Sequence, residues 1–318
     1  MSQTEQIAKT INQDIKNGKT IAEIKDDLRA DNAHWQRYSA KAYALNLKIE
    51  KVKRKVDESK RHVSTTSGVE IDKIIQLNMR LSHFAIILPI ISTISEFEYA
   101  VQLADLLPAS ESELMALVEK LTMQPMFRAR QKLGRFEEFL YFKPVSKLID
   151  AATLSYFRQN YISCYLTLVP VIEGILLRWL GYGGGADKPE FEKLKRFFRN
   201  GYQRQPMPWN IQFHEIFSRG CGDLLEQHFF RDSSRGTAHA RFNRHLAAHL
   251  LEDGTFATKQ NCLRLFMLLD AKTEIYFYES RGNDPRFTLH HQQTNPYMLT
   301  LATLEVAQDS HNPEITWL

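Results

Sequence analysis

Arg241-Phe242-Asn243-Arg244-His245-Leu246-Ala247-Ala248-His249 places two imidazoles and two guanidiniums within nine residues. Guanidinium binds phosphate through paired N–H groups, and imidazole is the side chain whose charge changes near neutral pH. If the segment is helical, positions 241, 245 and 249 share one face and Arg244 stands beside it. Such a patch is expected to hold a phosphodiester and move protons around it. His245 and His249 also have metal-ligand spacing, with His239 nearby. Leu246, however, occupies the position that a carboxylate holds in an H-E-x-x-H zinc site, and no cysteine lies close. No metal and no cofactor are therefore expected. His214, His290 and His291 read as isolated core or surface histidines.

The elements that must position this cluster are expected to be helices. The 318 residues are 43% hydrophobic and 25% charged, with net charge +4, enough for one large domain or two smaller ones. A mildly basic balance permits a polyanionic partner without requiring one. The longest apolar run, Phe84 to Ile94, contains Pro89 and is too short to span a bilayer. Met1-Ser2-Gln3-Thr4-Glu5-Gln6 shows no basic region leading into an apolar core, so no signal peptide is expected. Cys164, Cys221 and Cys262 are widely spaced and read as core thiols of a reducing compartment, which makes the cytoplasm the expected location and no membrane partner expected.

Helical periodicity runs through most of the chain. Ile7, Ile11 and Ile15 step by four up to Gly18, and Thr20-Ile21-Ala22-Glu23 has the form of a capping box. Trp35, Tyr38, Ala42, Leu45, Ile49, Val52 and Val56 form a heptad stripe, as in a coiled coil or helical hairpin. The basic stretch Lys51 to His62 reads as a solvated face, and Ser64-Thr65-Thr66-Ser67-Gly68 as a linker. Further helices are expected over about 70–107, from Ser110 onward, and over about 134–151. Next, Tyr156 through Leu180 reads as one long, mostly buried helix ending at the Gly181–Gly185 loop. Glu173 is the lone carboxylate in that apolar stretch. It is either an exposed stripe residue or the partner of an arginine from the nine-residue cluster. The organisation expected is residues 1–66 as a helical, coiled-coil-like segment, 67–150 as a helical middle region, 151–280 as the domain carrying the cluster, and 281–318 as a loosely structured extension.

Asn243-Arg244-His245-Leu246-Ala247-Ala248-His249 resembles the R-x4-6-H signature of HEPN domains. Leu168 through Leu176, with its Ile172-Glu173-Gly174 step, is similar to the apolar first helix of bacterial members, and Asn261 through Asp270 to the helix after the motif. The resemblance covers about residues 150–280. The chain departs from the family after the motif, where Leu250 and Leu251 replace the glycine that many bacterial members carry.

The resemblance implies an all-α fold with a HEPN-like bundle of four or five helices that dimerises, and a metal-independent endoribonuclease of the toxin or anti-phage type. Arg244 and His249 fall on the catalytic positions and His245 on the polar position between them, with Arg241, Asn243 and Glu173 in support. RNA cleavage without metal needs a base for the 2′-hydroxyl, an acid for the 5′-oxygen and cations around phosphorus. Two facing copies of His249 in a homodimer would supply both proton transfers, and Arg244, with Arg241, would neutralise the phosphate. The expected partners are RNA, a second copy, and an antitoxin or activator engaging the N-terminal helices. Two basic-aromatic stretches, Phe127 to Lys132 and Lys193 to Asn200, are candidates to guide RNA, the second reading equally as a core helix. Two rivals remain: an HEPN module that only dimerises or binds a partner, and a regulator whose short helices between Ile7 and Leu28 resemble a helix-turn-helix.

Overall fold

The computed structural model describes residues 13–14, 17–20, 23, 27, 68–89, 91–185, 188–198, 208–231, 242–245, 256–280 and 289–308. Among them every regular element is helical and no strand occurs, so the fold is all-α. The main helices are α1 (Gly68–Ser82), α2 (Ile94–Asp105), α3 (Glu111–Thr122), α4 (Pro125–Gln131), α5 (Ser146–Phe157), α6 (Tyr161–Trp179), α7 (Phe191–Lys195), α8 (Ile211–Leu224), α9 (Lys259–Ser280) and α10 (His291–Gln308). Single π turns carry α4 on through Lys132–Phe136 and α8 through Leu225–Phe229.

Local chemistry sets the helix starts. Thr93 and Glu96 form a reciprocal capping box at α2, and Asn160 and Asn210 accept backbone N–H groups at the starts of α6 and α8. The Thr20–Glu23 box is present as well, with the Thr20 N–H donating to Glu23 Oε2 at 2.6 Å. Gly18 beside it takes a φ of 83°, which an L side chain rarely adopts.

The hub is α9. Almost every residue from Asn261 to Glu279 is buried, so the helix has no solvent face. The helices α3, α6 and α8 pack against it, and α1 lies on α8. Since all sides of α9 face protein, its charged residues meet partners from distant parts of the chain. Arg128 donates to Asp270, which also accepts from Gln131 at 3.1 Å. Arg135 reaches Glu274 at 3.2 Å, with its guanidinium over the rings of Phe139 and Phe277. His214 meets Glu279 at 2.9 Å, and Arg264 binds Asn261 and Glu111. Lys272, fully buried, donates to the Ile172 carbonyl at 2.8 Å. Buried ions of this kind persist only where partners compensate the lost hydration.

Several boundaries differ from those the sequence suggests. Residues 70–107 are not one helix: Ala85 turns with φ 59°, and Ile86–Leu88 are buried outside any helix. The Asn78 side chain holds that strap, accepting from Leu88 N–H and donating to the Ile216 carbonyl. The helix expected over 134–151 starts only at Ser146, after a 3-10 turn that opens on Lys143-Pro144. The run from Tyr156 to Leu180 is two helices, because Gln159 takes φ 60° and Asn160 starts a new one. The segment read as a loose extension contains α10, which packs on α4 and α5. One apolar core extends from Ile71 to Leu301 and runs across the boundaries expected near 150 and 280. Arg128 and Phe127 are buried and cannot guide RNA from a surface, and Phe197 and Phe198 are core residues. The three cysteines are free and buried.

By length and composition alone, α6 could cross a membrane; here Cys164, Tyr165, Leu168, Val169, Ile172, Ile175 and Leu176 are buried inside the bundle. The heptad stripe from Trp35 to Val56, the basic stretch after it, the linker at 64–67 and the last residues, 309–318, lie outside the described residues.

Candidate functional site

The Arg241–His249 cluster enters the fold through Phe242 and Asn243. Phe242 is fully buried, its ring centroid 6.0 Å from that of Phe229. Asn243 is also buried and tied on three sides. Its Nδ2 donates to the Arg231 carbonyl, its Oδ1 accepts the His245 N–H at 2.7 Å, and its carbonyl accepts the Tyr165 hydroxyl at 3.5 Å. A side-chain oxygen binding the N–H two residues on is the geometry of a helix cap. Helical conformation accordingly begins at Arg244, with Phe242 and Asn243 outside it. Arg241 and His249 themselves, and His239, lie outside the described residues.

Arg244 leaves this cap toward α6. Its Nε is 3.5 Å from Glu173 Oε2, and its guanidinium carbon is 5.8 Å from the Phe230 ring centroid. Of the two readings of Glu173, the structure places it against the arginine. Both side chains retain partial access, 17% for Arg244 and 18% for Glu173. The other oxygen of Glu173 faces Lys188 Nζ at 3.8 Å, and the Lys188 side chain is mostly exposed. Beside them Gly174 leaves room for Arg178, whose Nη1 would lie 3.0 Å from a Cβ at that position. Glu173 thus meets two cations, Arg244 and Lys188, an excess of positive charge at a half-open surface. An excess of that sign suits an anion such as a phosphodiester.

Lys188, Arg178, Tyr165 and Phe230 were not among the residues the sequence suggested. Tyr165 and Arg178 sit on the same helix as Glu173, so helical spacing from Glu173 was the available signal. Lys188 follows the glycine-rich loop, and no periodicity points to it. His245 starts the helix with its backbone held by the cap, half-buried next to Arg244. Among the described residues no three His, Cys, Asp or Glu side chains converge as a metal site. Comparison with known proteins adds no relative: no protein-family model, no curated protein and no solved structure matches this chain.

Proposed function

We propose that this chain is a metal-independent endoribonuclease on a HEPN-like bundle, acting in the cytoplasm as a homodimeric toxin or anti-phage effector. The observation that carries the reading is the Arg244 site. A capped helix start presents Arg244 at a half-open surface against Glu173, whose other oxygen faces Lys188. In this reading His249 of one protomer takes the proton from the 2′-hydroxyl, and the 2′-oxygen attacks phosphorus. His249 of the other protomer gives a proton to the departing 5′-oxygen. The products are a 2′,3′-cyclic phosphate and a 5′-hydroxyl. Arg244 stabilises charge on the phosphorane oxygens, Glu173 holds Arg244 in place, and Asn243 sets where its helix begins. Arg241 and His245 support phosphate binding and the orientation of His249. DNA lacks the attacking hydroxyl and is not a substrate.

The same contacts favour a second reading, in which Arg244 is a latch that ties its helix to α6 and the protein acts only as a binding module. Incubating RNA in EDTA with the wild type and with Arg244→Ala and His249→Ala separates the two. The nuclease reading expects cleavage by the wild type, cyclic-phosphate ends, and loss of cleavage in both variants with the fold intact. It is wrong if the wild type leaves RNA whole or both variants cut at the wild-type rate.

A further inference from the structure

A second concave site lies where α3, the α5–α6 junction and α10 meet. It is an open groove of about 490 Å³, within the size range of small-molecule sites. Tyr156, Phe157 and Tyr161 line it, with the Tyr156 ring centroid 5.9 Å from Phe157 and 5.6 Å from Tyr161, both pairs edge-on. Tyr156 and Phe157 are buried as a floor, and Tyr161 is half-open.

The polar groups around this floor divide into two kinds. Glu119 is already engaged, accepting the Tyr156 hydroxyl at 2.8 Å and pairing with Lys259 at 2.8 Å. The side chains of Lys120 and Gln124 on one wall and Glu305 on the other are exposed, and none has a hydrogen-bond or ion-pair partner among the described residues. The groove thus offers aromatic rings, one free ammonium, one free amide and one free carboxylate. An aliphatic chain would leave the ammonium and carboxylate unused, and a polyamine would meet Lys120 with like charge. A nucleotide matches all of it: a ring to pack on aromatics, amino hydrogens for a carboxylate, and a phosphate for an ammonium.

The groove shares α6 with the Arg244 site. Tyr161 is one helical turn, roughly 6 Å along α6, from Tyr165, whose hydroxyl touches the Asn243 carbonyl. We infer that this groove binds one unpaired nucleotide, with its base against the tyrosines and Glu305 and its phosphate toward Lys120. The inference deepens the ribonuclease reading, and rests on it in making that nucleotide part of the RNA to be cut.

Calorimetric titration of the full chain with CMP, AMP, GMP and UMP tests the groove without requiring cleavage. Saturable binding is expected. Glu305→Gln should weaken the three amino-bearing nucleotides by about tenfold and UMP little. Lys120→Ala should weaken all four nucleotides and leave the corresponding nucleosides unchanged. Both residues are exposed, so circular dichroism should report an intact fold. Absence of saturable nucleotide binding, wild-type affinity in both variants, or uptake of a neutral tripeptide in place of nucleotides overturns the inference. RNA cleavage without nucleotide binding refutes the groove alone. Nucleotide binding without cleavage refutes the ribonuclease reading and leaves the groove as a nucleotide site.

Discussion

Replacing Lys272 with methionine should make the protein more stable at pH 7 and flatten its response to alkali. Lys272 sits on α9 with no exposed surface and donates to the neutral Ile172 carbonyl, 2.8 Å away. Cys221 of α8 faces it, but burial pushes that thiol above the usual range, so it supplies no anion. Of the carboxylates on the same helix, Asp270 is held by Arg128 and Gln131, and Glu274 by Arg135. Burial therefore pushes the Lys272 ammonium down from 10.5 to about 7. A change of that size corresponds to about 5 kcal/mol in favour of the neutral amine. The unfolded chain keeps this proton up to about pH 10.5, and the folded chain releases it near pH 7. Between those values the unfolded state binds more protons, so stability rises with pH from about 7 to 10.5 and is level below 7. Methionine carries no such penalty; it forfeits one buried hydrogen bond, worth about 1 kcal/mol. The expected gain at pH 7 is about 3 kcal/mol, shrinking to nothing by pH 10.5. Urea unfolding of both proteins at pH 7, 8, 9 and 10 measures it, and taking the difference between them cancels every other titrating group. An identical pH slope in the two proteins, or a less stable methionine variant at pH 7, would refute the reasoning.

Acid should act through His228, whose Nε2 lies 3.1 Å from the Ser82 carbonyl and which burial pushes down from 6.5 to about 4. Stability present above pH 6.5 should be lost as pH falls toward 4, by up to about 3 kcal/mol, and His228→Gln should remove that part of an acid-unfolding curve. Asn243→Ala removes the cap of the Arg244 helix and the donor to the Arg231 carbonyl, at an expected cost of about 1–2 kcal/mol in thermal unfolding. Asn243→Asp keeps the cap and should recover part of the loss; equal losses in the two variants would show that the cap contributes nothing.

How far the sequence revealed the molecule depended on whether a residue's partner was local. The Thr20–Glu23 box and the end of α6 at Gly181 rest on contacts within a few residues, and both were legible in the sequence. The break at Gln159 was hidden because Tyr156 to Leu180 is apolar almost throughout, and a continuous apolar run cannot show where a helix stops and another begins. The charges of α9 carry the opposite lesson. Arg264, Asp270, Lys272, Glu274 and Glu279 fall on different sides of one helix, which ordinarily marks a solvated element, yet all are buried. Their partners Glu111, Arg128, Ile172, Arg135 and His214 lie far away in sequence, so no spacing rule could pair them. The candidate site follows the same division. The match of Glu173 to an arginine of the cluster was within reach because a lone carboxylate in an apolar helix needs a cation. Which arginine it meets was not, because that depends on Asn243 ending the non-helical approach and starting the helical phase at Arg244. The cap, rather than the spacing of the histidines, decides which side chain of the cluster faces α6.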